Sequence, residues 1–163
     1  MEVPTKKPNK YENKFLEKQK KILYQDLKNS RKITTDSVMQ AFLAIPRELF
    51  VDTSYHDLSY ADHPLPIGYG QTISQPTTVI LMLQLLDVLP GQRVLEIGTG
   101  SGYNAALLAK LAGMVVTVER HLELAELARE NLHSAGLKEV VVITGDGKLG
   151  YTKLAPYDRI IIT

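Results

Sequence analysis

The sequence has no cysteine among its 163 residues, which excludes disulfide bonds, thiolate metal ligands and a cysteine nucleophile. It has no apolar run of about eighteen residues, and its first ten residues, MEVPTKKPNK, lack the apolar segment of a secretory signal peptide. The formal net charge is only +1, so no overall field points to a nucleic acid or a membrane surface. We therefore expect a cytoplasmic protein without a membrane partner.

The length and composition predict one main domain with a small appendage before it. The appendage, residues 1–32, has ten Lys and Arg against four Asp and Glu. Its apolar residues approximate the stripe of a basic amphipathic helix: Tyr11, Phe15, Leu16, Ile22, Leu23 and Leu27. A solvated helix over the main domain, residues 33–163, explains this pattern more simply than a nucleic-acid-binding arm.

The first part of the main domain, residues 33–90, is predicted to contain two helices separated by a long loop. One helix spans residues 37–44 and ends before Pro46. Residues 51–75 have little periodicity and many Gly, Pro, Asp and Tyr residues, so we expect an irregular connection, and such long connections are often functional. Pro76 then opens a helix that is apolar on most sides and therefore buried.

The second part, residues 91–163, alternates short apolar strands with helices. The predicted strands are residues 93–97, 115–119, 140–144 and 159–162, and the predicted helices are residues 103–111 and 122–135. Strands rich in Val and Ile that are joined by helical crossovers form parallel sheets that are covered on both faces. The sequence therefore predicts an α/β fold.

A glycine-rich turn, EIGTGSG, follows the first of these strands. Gly98, Gly100 and Gly102 let the backbone turn sharply and let a ligand approach the main chain. The spacing differs from the dinucleotide motif G-x-G-x-x-G, whose third glycine would fall at Tyr103. Glu96 would repel a pyrophosphate but pair with a cationic ligand, so the turn favours S-adenosylmethionine over NAD.

Two further acids follow the next two strands. Glu119 ends the second strand, where a carboxylate can accept hydrogen bonds from both ribose hydroxyls. Asp146 lies in the turn Gly145–Gly147 after the third strand, where it can meet an adenine amino group. Ligands of open α/β sheets bind at this edge. The alternatives are a helix-capping turn for the glycines, a surface acid for Glu119 and a plain turn for Asp146.

Histidine spacing gives no sign of a metal site. The four histidines are His56, His63, His121 and His133, and no two are four residues apart on a helix. We expect them to face solvent or to bond locally, with His63 nearest the proposed substrate loop. No metal is predicted.

Together these residues resemble one family, the protein-L-isoaspartate (D-aspartate) O-methyltransferases. The matching motifs are PRELFV (46–51), DHPLPIGYGQTISQP (62–76), VLEIGTGSGY (94–103), TVER (117–120), GDGKLGY (145–151) and APYDRIIIT (155–163). The resemblance spans about four-fifths of the chain. It implies a Rossmann-like class I methyltransferase with N-terminal helices, S-adenosyl-L-methionine as cofactor, and isoaspartyl-containing proteins and peptides as substrates.

The resemblance also implies roles for individual residues. Ser74 corresponds to the active-site serine, in a segment that closes over the methyl donor. The implied cofactor-binding residues are Gln71, Thr72, Ile73, Ser74, Glu96, Gly98, Thr99, Gly100, Glu119, Arg120, Asp146 and Gly147. The residue type suits the reaction, because a neutral hydroxyl can hold one oxygen of a carboxylate while the other attacks. Alternatively, Ser74 helps to cap the helix that Pro76 opens.

The chain departs from the family where its last strand ends. The family continues with further helices and strands, so the sheet here is expected to be incomplete and to contain only the first four strands. Residues 160–162 are then left at an edge, which favours association with a partner or a second copy. Either the chain is part of an active enzyme, or it is a reduced protein completed by a partner.

Three functions remain open at this point. The first is methyl transfer to the carboxylate of L-isoaspartyl and D-aspartyl residues in damaged proteins, which initiates repair. The second is a truncated cofactor-binding domain without turnover. The third is a methyltransferase of another substrate, such as a nucleic acid, to which the basic N-terminal segment points.

Overall fold

The computed structural model describes residues 10–30 and 33–163. The predicted N-terminal segment therefore lies partly outside the described residues. The helices are α1 (Lys10–Asn29), α2 (Asp36–Ala44), α3 (Pro76–Leu86), α4 (Tyr103–Leu111) and α5 (Leu122–Ser134). The strands are β1 (Leu65–Gly68), β2 (Gln71–Ile73), β3 (Arg93–Ile97), β4 (Met114–Glu119), β5 (Val141–Thr144) and β6 (Arg159–Ile162). Short stretches of 3₁₀ helix occupy Arg47–Phe50, Thr53–Leu58, Gly147–Leu149 and Thr152–Leu154.

Four parallel strands form the main sheet in the order β5-β4-β3-β6. This confirms the predicted α/β fold, and the predicted strands and crossover helices differ from the observed ones by at most one residue at an end. Val94 and Leu95 point to opposite faces, because side chains alternate along a strand. Val94 belongs to the main core with the helices, whereas Leu95 packs in a smaller cluster with residues 151–157.

Helix α1 packs directly on the main domain. Leu16, Leu23 and Leu27 are buried in the main core, at the spacing expected for one face of a helix. Lys20 lies in the same stripe, with its Nζ 5.9 Å from the centroid of the Tyr60 ring. Burial lowers the pKa of this lysine, although Glu17 and Glu48 oppose the shift. The predicted stripe was wrong at two residues, which are exposed: Phe15 and Ile22.

The segment 51–75 is more regular than predicted. It contains a 3₁₀ turn and a short antiparallel hairpin in which Leu65 faces Ile73 and Pro66 faces Thr72. Backbone with positive φ forms the tip of the hairpin, at Gly68, Tyr69 and Gly70. Strands of three and four residues are too short to show a recognisable alternation of apolar and polar residues in the sequence. The expectation of a wholly irregular connection was therefore wrong.

The last strand, β6, lies at an edge of the sheet, as predicted. Ile160 and Ile162 are 56% and 73% exposed, but Ile161 points to the other face and is buried in the main core. Nearby, α3 is not buried all round, since its Leu85 is 83% exposed. Apolar residues on most sides of α3 had indicated a buried helix, and the exposure of Leu85 corrects that expectation for one side.

Candidate active site

A cavity of about 240 Å³ lies at the carboxyl ends of β3 and β4, beneath the β1–β2 hairpin. It brings together eight of the residues that the sequence singled out: Gln71, Thr72, Ile73, Ser74, Gly98, Thr99, Gly100 and Glu119. The other four predicted residues do not line it: Glu96, Arg120, Asp146 and Gly147. The hairpin and the glycine turn therefore form opposite walls of one site.

The glycine turn has backbone geometry that only glycine adopts easily. Gly98, Gly100 and Gly102 have φ angles of 99°, 55° and 92°. A Cβ atom on Gly98 would clash with the backbone oxygen of Thr163, which itself lines the cavity. The Thr163 hydroxyl donates a hydrogen bond to the Gly98 oxygen over 2.6 Å. The turn thus packs against Thr163, while Gly98 and Gly100 line the cavity.

Glu119 joins the end of β4 to this turn. Its Oε2 accepts a hydrogen bond from the Gly100 N–H at 2.9 Å, and its Oε1 accepts one from the His121 N–H at 3.0 Å. The residue is almost fully buried but lines the cavity. A carboxylate has about four lone-pair positions, so it retains capacity for two more donors. This arrangement suits a pair of neighbouring hydroxyl groups.

Glu96 lies beneath the cavity and not on its surface. Its Oε1 accepts a hydrogen bond from Asn104 Nδ2 at 2.7 Å, and its Oε2 accepts one from Thr117 Oγ1 at 2.6 Å. Complete burial raises the pKa of Glu96 to about 7, against the lowering effect of these two hydrogen bonds, and Glu119 adds to the rise. Asn104 does line the cavity. Direct contact between Glu96 and a ligand stays a prediction.

The acidic turn after β5 lies at the same edge of the sheet. Asp146 caps the 3₁₀ turn Gly147–Leu149 by accepting a hydrogen bond from the Lys148 N–H at 3.0 Å. Gly147 packs closely on β3, since a Cβ there would lie 2.6 Å from Ile97 Cγ2. Arg120 is exposed and its Nε donates to His121 Nε2 at 3.2 Å. Contacts of these predicted residues with a ligand stay predictions.

Ser74 lies between β2 and α3, in the wall opposite the glycine turn. Its carbonyl oxygen accepts a hydrogen bond from Arg47 Nη2 at 2.8 Å. Asp62 caps α3, because its Oδ1 accepts a hydrogen bond from the Thr77 N–H at 2.9 Å. Its Oδ2 also accepts from Gln75 Nε2 at 3.0 Å. The cap therefore comes from Asp62, whereas the alternative given above assigned it to Ser74.

Sequence reasoning missed the residues that hold the Ser74 segment, Arg47 and Asp62. Both lie in motifs that carried the resemblance, PRELFV and DHPLPIGYGQTISQP, but neither had been given a role. It also missed Tyr103 and Asn104, which line the cavity from the start of α4. Spacing along the chain gave no signal for Arg47, since 27 residues separate it from Ser74.

Two of the histidines lie near the hairpin and make local contacts. His63 is exposed, with its Nδ1 3.0 Å from the Pro64 oxygen, and His121 lies against the Tyr69 ring. No cluster of three His, Asp or Glu side chains able to hold a metal is found in residues 10–30 and 33–163. Within the same ranges, no helix combines the length and the apolar character needed to cross a membrane. A surface concavity along α1 has only that helix as its wall.

The parallel sheet, its glycine turn and the acid at the end of β4 define a Rossmann-like domain of the class I methyltransferase type. Comparison with known sequences is more specific: the chain belongs to the protein-L-isoaspartate(D-aspartate) O-methyltransferase family, whose sequence model matches residues 17–163. A protein-L-isoaspartate O-methyltransferase 1 from Archaeoglobus fulgidus is 49% identical over 150 residues, which is 90% of this chain. A protein-L-isoaspartate O-methyltransferase from Koribacter versatilis is 52% identical over 132 residues, or 81% of this chain.

Solved structures agree with the family assignment. A protein-L-isoaspartate O-methyltransferase structure matches 88% of this chain with a TM-score of 0.79 and 35% identity. A Plasmodium falciparum structure described as a putative member of the same family, in complex with S-adenosyl-L-homocysteine, matches 87% with a TM-score of 0.75 and 26% identity. The chain spans 69% and 60% of the two curated relatives, and 47% and 72% of the two solved chains.

Proposed function

We propose that this protein transfers a methyl group from S-adenosyl-L-methionine to the carboxylate of L-isoaspartyl and D-aspartyl residues in damaged proteins, as a first step of repair. Family membership supports this proposal, as do the names of the relatives. The observation that carries it is that Ser74, the glycine turn and Glu119 line one and the same cavity. Because the chain spans only part of its relatives, turnover by this chain is part of the proposal.

The residues of the cavity fit the proposed cofactor. Glu119 has unused lone pairs for the two ribose hydroxyls, and Gly98 and Gly100 contribute to the wall of the cavity. Gln71, Thr72 and Ile73 line the cavity and would cover the cofactor from the hairpin. The segment 145–147 follows β5 at the same edge of the sheet, and we expect it to meet the adenine. When bound, S-adenosylmethionine would supply the methyl group on a positively charged sulfonium.

Ser74 would orient the substrate carboxylate. A carboxylate is already ionised at neutral pH, so the site needs no strong general base and has to supply alignment and exclusion of water. A neutral hydroxyl can hold one carboxylate oxygen without lowering the reactivity of the other as strongly as a cation would. No Lys or Arg side chain is among the described residues that line the cavity, which supports this role.

A radiolabelled methyl-transfer assay tests the proposal. We expect the chain to label a peptide that contains one L-isoaspartyl residue and not the matched L-aspartyl peptide. The Ser74→Ala variant should lose most of the labelling but keep its affinity for S-adenosylhomocysteine, measured by calorimetry. Equal labelling of both peptides would end the claim of specificity. Binding of S-adenosylhomocysteine without any labelling would instead support a cofactor-binding domain without turnover.

Two finer points belong to the same proposal. The exposed side chains of Ile160 and Ile162 on an edge strand support association with a second copy or a partner. Sedimentation over a range of concentrations tests self-association, and a constant monomer mass would exclude it.

The absence of cysteine supports a cytoplasmic location, which cell fractionation tests.

A further inference from the structure

A fully buried arginine, Arg47, lies behind the segment that carries Ser74. It is 0% exposed, on the 3₁₀ turn Arg47–Phe50. Its Nε and Nη1 atoms are buried without a hydrogen-bond partner. Burial of a charged group without full compensation is costly, so an apolar side chain of similar size would be the more stable filler. The guanidinium at this position therefore calls for a reason beyond packing.

The contacts of Arg47 connect the two walls of the cavity. Its Nη2 donates to the Ser74 carbonyl oxygen at 2.8 Å, and its guanidinium carbon lies 4.9 Å from the centroid of the Tyr103 ring. Tyr103 is the first residue of α4, directly after the glycine turn, and it lines the cavity. The planar guanidinium thus contacts both the segment that carries Ser74 and the start of α4 after the glycine turn.

Arg47 is itself held in place from the side away from the cavity. Its backbone N–H donates to the Tyr60 hydroxyl at 3.1 Å, and that hydroxyl donates to Glu48 Oε2 at 2.6 Å. The Nζ atom of Lys20, on α1, lies 5.9 Å from the centroid of the Tyr60 ring. Because all of these groups are buried, Arg47 has little freedom to follow movements of the hairpin.

We propose that Arg47 is a positioning residue for Ser74. It fixes the backbone at Ser74 relative to the glycine turn, and so sets where the serine hydroxyl holds the substrate carboxylate. The inference rests on the proposed function, because it assumes that Ser74 contacts substrate. Arg47 does not line the cavity, so it acts through Ser74 and makes no contact with substrate of its own. A displacement of about 1 Å in a catalytic group can lower a rate about 100-fold.

Two substitutions test the inference. Arg47→Met removes the charge and the hydrogen bond but fills similar volume, and Arg47→Lys keeps the charge but loses the planar group over Tyr103. We expect kcat for the isoaspartyl peptide to fall at least tenfold in both, with KM for S-adenosylmethionine within about twofold of wild type. Leu83→Ala is the control, since Leu83 is buried in α3 but does not line the cavity. It should lose stability and keep its kcat.

Hydrogen exchange gives a readout that does not depend on turnover. We expect the amides of residues 71–75 to exchange faster in both Arg47 variants than in Leu83→Ala. Wild-type kcat in either Arg47 variant, or exchange no faster than in the control, would overturn the inference. If the wild-type chain does not methylate the peptide, the proposed function fails by itself, and the exchange rates still decide whether Arg47 holds this segment. Arg47→Lys serves both measurements if Arg47→Met does not fold.

Discussion

Replacement of Glu119 by alanine is expected to lower the affinity of the chain for S-adenosylhomocysteine by at least about 100-fold. Each hydrogen bond to a charged group contributes about 1.5–3 kcal/mol, and a carboxylate that accepts from two ribose hydroxyls makes two of them. The same substitution also removes the acceptors of the Gly100 and His121 N–H groups, so the glycine turn loses support. Titration calorimetry measures the affinity.

A matched control distinguishes loss of the Glu119 carboxylate from loss of a negative charge elsewhere on the surface. Glu123 lies in the first turn of α5, is exposed and does not line the cavity. We expect Glu123→Gln to bind S-adenosylhomocysteine with wild-type affinity. Glu119→Gln should resemble Glu119→Ala, because an amide presents a donor to one of two backbone N–H groups. If Glu119→Ala bound S-adenosylhomocysteine with wild-type affinity, Glu119 would not be a cofactor-binding residue.

The second large effect concerns the pH dependence of stability, which Glu96 controls. Burial raises its pKa from 4.5 to about 7 in the folded chain, so between these pH values the folded chain holds a proton that the unfolded chain has released. The stabilisation by this proton is complete below pH 4.5 and is lost as the pH rises through about 7. The total loss is on the order of 3 kcal/mol.

The Glu96→Gln variant is expected to lack this loss. Its amide can be accommodated, since the carbonyl can accept from Asn104 and the NH₂ can donate to Thr117, whose hydroxyl can then donate to Thr99 at 2.6 Å. Urea unfolding from pH 4.5 to 8 measures the free energy of unfolding of both chains. The difference between them should grow in favour of the variant up to about pH 7 and then stay constant.

Titration of other groups is the same in both chains and cancels in that difference. Glu126→Gln, an exposed substitution on α5, is the control and should follow the wild-type curve. Parallel curves for wild type and Glu96→Gln would show that Glu96 does not hold a proton in the folded chain. Its hydrogen bonds would then compensate for its burial.

Short-range sequence patterns explain why much of the second part of the main domain, residues 91–163, was predictable. The strand at residues 93–97 is a compact apolar run, and the glycine turn directly follows it, so both were recognised within a few residues of sequence. Glu119 was placed by its position at the end of the next strand, because parallel strands bring their carboxyl ends to one edge. Each of these inferences needs only local sequence and the general geometry of a parallel sheet.

The first part of the main domain, residues 33–90, was less predictable because its contacts join distant residues. Arg47 meets Ser74 across 27 positions, and Asp62 meets Thr77 across 15, with no periodicity that connects either pair. Lys20 shows the same limit of sequence-based prediction. A charged residue is expected to face solvent, but the structure buries Lys20. Whether a polar side chain is buried depends on which residues of a distant segment pack against it.

The amino-acid sequence by itself determined where the four strands of the main sheet and their crossover helices lie along the chain, together with the glycine turn and the acids that follow the strands. Local backbone preferences and the alternation of apolar residues fix these features within a few positions. Only the tertiary structure decided that Glu96 lies beneath the cavity, that a hairpin covers it and that Arg47 holds Ser74. These features depend on packing between segments far apart in the chain, where burial changes both the pKa of a group and the atoms it contacts.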